Sequence, residues 1–177
     1  MSLEADFLVA SEQELQAAFP GWVPPRPRMS KDKTWAPSRP FPKSGKSARA
    51  VYKAEMAAVQ KLPHAQFRRV DPVKLGTLQA ILRGGDQLLG VEDRPALLAN
   101  PKEADEWLLR LTDALVHGLA SLSKPQFRAA AKQWAETEEL QADGWSARDA
   151  ASVIEALSGL AKRASNEKKN VYVWMRL

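Results

Sequence analysis

Apolar residues recur along this chain at two different spacings, and the elements they predict carry recognisable start and stop signals. Phe7-Leu8-Val9-Ala10 is a short apolar run that suits a strand. Ser11 and Glu14 follow in a capping-box pattern, which predicts a short helix with Leu15, Ala18 and Phe19 inward and a stop at Pro20-Gly21. Ser47 can cap a helix from about Ala48 to Leu62, where Tyr52, Met56, Val59 and Leu62 keep helical spacing and Pro63 ends the run. Gln66 to Val70 reads as a strand. Asp71-Pro72 then supplies a cap and a first-turn proline for a helix with Leu75, Leu78 and Leu82 on one side, stopped at Gly84-Gly85.

Three further helices are expected in the second half. Asn100-Pro101-Lys102-Glu103 resembles a helix start, and Leu108, Leu111, Leu115, Leu119 and Leu122 form the stripe that would follow it. Ser123 with Gln126 opens another helix, with Phe127, Ala130, Ala131 and Trp134 inward. Ser146 with Asp149 opens the last, with Ala150, Val153, Ile154, Leu157, Leu160 and Ala164 inward. The β-branched and aromatic content of Asn170 to Leu177 favours a closing strand. That strand needs a partner for its backbone groups, and the runs at Phe7 and Phe67 are the candidates. The expected fold is therefore α+β and mainly helical, with about six helices and a small two- or three-stranded sheet that includes the C-terminal strand. A length of 177 residues suits one domain spanning 1–177, with a proline-rich basic arm at about 20–47.

Charge changes this picture at one place. Between Arg26 and Lys53 lie nine Lys or Arg against the single acid Asp32, so this segment is +8 while the rest, 17 basic and 20 acidic residues, is −3. Seven prolines fall between Pro20 and Pro42, a density at which neither helix nor ladder strand survives. Trp22, Trp35 and Phe41 are candidate anchors within this extended arm. The binding candidates are Arg26, Arg28, Lys31, Lys33, Trp35, Arg39, Phe41 and Lys43, because cations interleaved with aromatics can neutralise phosphates and stack on bases. The same segment can equally wrap an acidic protein surface, including the chain's own body.

Other chemistry is thinly represented. The chain has no cysteine, which excludes disulfides, thiol catalysis and thiolate metal sites. No cofactor or metal motif is present: Ser44-Gly45-Lys46-Ser47 resembles the tail of a phosphate-binding loop, but Pro40 stands where its first glycine belongs. His117 lies one turn after Asp113, a spacing that can orient a general base, and His64 follows Pro63 in a loop. Glu138 lies one turn beyond Trp134; held against the indole it would have a raised pKa, and otherwise it would receive N–H groups from Gln141 to Trp145. None of these three residues has a nucleophile or second carboxylate tied to it by a known signature, so all are expected to be structural and no catalytic residue is assigned. No apolar run is long enough to span a bilayer, and the first residues lack a basic region before an apolar one, so a cytoplasmic location is expected.

The segments FLVASEQEL, DPVKLGTL, QWAETEEL, WSARDA and VYVWMRL together give a layout that resembles small bacterial immunity proteins, which neutralise a toxin by binding it. The resemblance covers about half the chain and transfers no binding residue. It implies a non-catalytic protein-binding module, either toxin-neutralising or regulatory, and six tryptophans suit interface anchoring. The alternative is a nucleic-acid-binding accessory protein that uses residues 26–53.

Overall fold

The computed structural model describes residues 3–20, 46–84, 96–99 and 106–177. The chain is α+β and mainly helical. The order of elements is β1 (Glu4–Ala10), α1 (Glu12–Ala18), α2 (Lys46–Val59), β2 (His64–Arg68), α3 (Pro72–Leu82), β3 (Ala96–Ala99), β4 (Glu106–Arg110), α4 (Asp113–Ala120), α5 (Lys124–Ala135), α6 (Glu138–Ala142), α7 (Ala147–Glu167) and β5 (Asn170–Arg176).

Local signals explain most of these boundaries. Ser11 accepts from Glu14 N–H at 3.2 Å while the Glu14 carboxylate takes Ser11 N–H at 2.7 Å, so the capping box forms as its spacing dictates. Ser123 with Gln126 and Ser146 with Asp149 form the same box at α5 and α7. Asp71 caps α3 with Pro72 in its first turn, and Gly84, at φ 99°, follows the helix in a conformation that disfavours L side chains. Ser47 falls inside α2 instead of capping it, because the helix already runs at Lys46.

Among the described residues the sheet has five antiparallel strands in the order β2-β1-β5-β4-β3. This exceeds the expected two or three; of the two candidate partners for the closing strand, the Phe7 run does pair with it and the Phe67 run does not. The C-terminal strand lies at the centre between β1 and β4, whereas the Phe67 run pairs with the other side of β1. The leucine stripe from Leu108 to Leu122 does not form one helix. Leu108 and Leu109 are both buried on opposite faces of β4, which an extended chain permits and one helical stripe does not. Only at Thr112, whose hydroxyl accepts from Leu115 N–H at 3.1 Å, does α4 begin. The apparent helix start at 100–103 lies outside the described residues.

Alternation along the strands splits the core into two layers. Ala5, Phe7, Val9, Val171, Val173 and Met175 pack under α3, α4, α5 and α7, while Leu8, Ala10, Leu108, Tyr172 and Trp174 pack under α1 and α2. The inner faces expected for α5 and α7 are the buried ones, except that Phe127 is only partly covered. A sheet covered on both sides explains why β5 reads as a nearly continuous apolar run, not a clean alternation. Among the described residues no helix is long and apolar enough to cross a membrane.

Candidate functional site

The binding residues read from the sequence, Arg26, Arg28, Lys31, Lys33, Trp35, Arg39, Phe41 and Lys43, lie outside the described residues, as do Ser44 and Gly45. The remaining candidates are placed, and none assembles into a reactive group. His117 is exposed on α4, and the Asp113 carboxylate that was to orient it instead takes the Arg110 guanidinium at 2.7 Å. His64 is exposed, with Nδ1 at 2.9 Å from the Leu62 carbonyl. Glu138 is exposed in the first turn of α6, so it neither lies against the Trp134 indole nor closes the following turn. Leu140 takes the inner position, and Trp145 N–H closes the turn onto the Leu140 carbonyl at 2.9 Å. A five-residue helix intervenes where a loop was expected, which rotates Glu138 outward. Trp134 is held by other means: its indole N–H donates to the Lys74 carbonyl at 3.1 Å and its ring meets Trp145 edge-on at 6.0 Å. Among the described residues no three His, Asp or Glu are grouped to hold a metal ion.

The chemistry gathers at one end of the sheet, where strand register assembles residues far apart in the chain. The outermost row across four strands reads Arg68, Glu4, Arg176, Glu106, with alternating charge on the face covered by α2. Arg176 is the hub. Its guanidinium reaches Asp6 at 2.5 Å and Glu4 at 3.3 Å, donates to the Met56 sulfur at 3.1 Å, and lies over the Trp174 ring at 4.2 Å. The Trp174 indole N–H donates to Glu106 at 3.1 Å. Burial pushes the Glu106 carboxyl above the ordinary glutamate range, with the Trp174 hydrogen bond and Arg176 acting against that shift. These groups are committed to one another, so the row ties the strand ends together instead of presenting a free acid or base.

The opposite face of the same end is apolar. The next row reads Phe67, Ala5, Met175, Trp107. On this face lies a pocket of about 390 Å³ lined by Leu3, Pro72, Trp107, Leu109, Met175 and Leu177. Leu177 is 54% exposed beside it, and Val73, next to Pro72, is 63% exposed. The wall at Pro72 is fixed by Lys74, whose ammonium bonds Asp71 at 2.6 Å and Asp143 at 2.9 Å. Burial pulls the Lys74 ammonium down, but the hydrogen bonds to the two carboxylates outweigh it and hold the group above the usual lysine value.

Reading the residues alone missed this pocket. It depends on β4, which presents Trp107 and Leu109 to one face, and on the central place of β5, which presents Met175. The alternation of Trp107 and Leu109 about Leu108 was the available signal. No protein-family model matches the chain, and neither a curated protein nor a solved structure matches it.

Proposed function

We propose that this chain is a non-catalytic protein-binding module, a regulatory or toxin-neutralising partner, that engages another protein at this end of its sheet. The observation that carries the reading is the apolar pocket with Leu177 and Val73 exposed beside it. Its volume falls within the range of ligand-binding clefts, roughly 300–1,000 Å³, and has room for large anchoring side chains. All six lining residues are apolar, so the pocket offers desolvation to an incoming group and no side chain that transfers a proton.

The test is affinity capture from native host cells with wild-type, Leu177→Glu and Val51→Glu proteins as baits. Val51 is exposed on α2, away from the pocket, and serves as the control. A protein retained in stoichiometric amount by wild type and by Val51→Glu should be lost with Leu177→Glu. Burying one leucine contributes about 1.5–3 kcal/mol, which is on the order of 10- to 100-fold in affinity. Retention of the same protein by all three baits, or of none by wild type, would refute the reading. The alternative, nucleic-acid binding through residues 26–53, rests on their +8 charge. It requires oligonucleotide affinity that falls steeply with salt and is lost when Arg26, Arg28, Lys31 and Lys33 become Ser.

A further inference from the structure

The strand order leaves β2 at the border of the sheet, and the register shows which of its backbone groups are spent. Val9 N–H donates to the Pro63 carbonyl at 2.9 Å and Arg69 N–H to the Leu3 carbonyl at 2.8 Å. These two bonds fix the phase of the antiparallel ladder. Residues 63, 65, 67 and 69 turn their backbone groups toward β1, and His64, Gln66 and Arg68 turn theirs to the outside. Among the described residues nothing pairs with that outer side.

From this geometry we infer that the outer edge of β2 is a docking site for an extended partner strand in which acidic and apolar residues alternate. This deepens the protein-binding reading above and rests on it. The backbone supplies N–H groups at Gln66 and Arg68 and carbonyls at His64, Gln66 and Arg68, the pattern by which a strand adds to a sheet. Side chains supply the preference. On the face shared with His64, Gln66 and Arg68 the strand carries the cation Arg68 and no acid. The Arg68 side chain is 75% exposed and only 3.8 Å from its neighbour Glu4 across the strand pair, so an acidic residue of the incoming strand is favoured beside it on the open side. The other face presents Ala65 and Phe67, both partly buried and packed on the core, with Phe67 edge-on to Phe7 at 6.0 Å. Apolar residues of the incoming strand belong there.

A second copy of this chain brings no acid to Arg68: antiparallel self-pairing about Gln66 sets Arg68 of each copy beside His64 of the other, which supplies no negative charge.

The probe is a fluorescein-labelled peptide of seven residues alternating valine and glutamate, with a valine–lysine peptide as control, followed by anisotropy and by amide exchange of the full chain. The valine–glutamate peptide should bind and slow exchange of the Gln66 and Arg68 amides, with the lysine version at least about tenfold weaker. Gln66→Pro removes one outward N–H while leaving the inward bonds of Ala65 and Phe67 in place, and should weaken binding about tenfold with an unchanged melting temperature. Arg68→Glu, which leaves the backbone intact, should reverse the preference between the two peptides even if Gln66→Pro unfolds. Absence of binding, binding that protects other amides, an unreversed preference, or protection that rises with protein concentration in the absence of peptide each overturns the inference. None of those results bears on Leu177→Glu capture, which tests the pocket separately.

Discussion

Arg176 offers the sharpest test of how the sheet end is held. It is 6% exposed and its partner Asp6 is 2% exposed, so removing the guanidinium leaves a carboxylate in a nearly dry site. Breaking such a pair from one side costs about 3–5 kcal/mol, which is a large share of the roughly 5–15 kcal/mol that stabilises a typical domain. Arg176→Met should therefore lose about that much, since methionine keeps contact with Trp174 and Met56 but provides no charge. The double variant Asp6→Leu/Arg176→Met should recover most of the loss, because an apolar pair of similar volume avoids both desolvation penalties. Urea unfolding followed by tryptophan fluorescence at neutral pH measures all three proteins. The reasoning fails if Arg176→Met stays within about 1 kcal/mol of wild type, or if the double variant is as unstable as the single one.

Two further outcomes follow from buried and capping groups. Trp134→Ala should cost about 3–5 kcal/mol in the same assay, because it empties a fully buried site and removes the indole hydrogen bond to the Lys74 carbonyl, whereas the exposed Glu138→Gln should change stability by less than about 0.5 kcal/mol. Glu14 is held at about 2 by the Ser11 backbone N–H, then by Lys169 and the Ser11 hydroxyl. Its folded pKa is depressed, so its contribution is present above the ordinary glutamate value and is lost as pH falls from about 4.5 through about 2. The group is well exposed and screened, so that contribution is about 1 kcal/mol, and Glu14→Gln should flatten the acid limb of a melting-temperature profile by a matching amount.

What could be read from the chain was whatever a few neighbouring residues decide by themselves. The boxes at Ser11, Ser123 and Ser146 each close within three residues, and the Asp71-Pro72 start is equally local. The inner stripe of α7 was legible for the same reason: eleven or more residues at one period leave little room for a second reading. Trp134 was legible as core, although its hydrogen bond to Lys74, 60 residues away, was not.

Tertiary structure decided what local preference left open. Leucine is a strong helix former, and Leu108, Leu111, Leu115 and Leu119 keep helical spacing, yet β5 required a neighbour on its second side and the residues from Glu106 to Arg110 supply it. Once β5 lies between β1 and β4, Glu4 and Arg176, 172 residues apart, share a row, and Trp107, Met175 and Leu3 share a pocket. Glu138 went the other way, because one short helix rotated it from the expected inner face to solvent. Caps and stripes belong to the sequence because their energies come from neighbours along the chain. The charged row, the pocket and the open edge of β2 come from register between distant strands, which is set only when the whole sheet assembles.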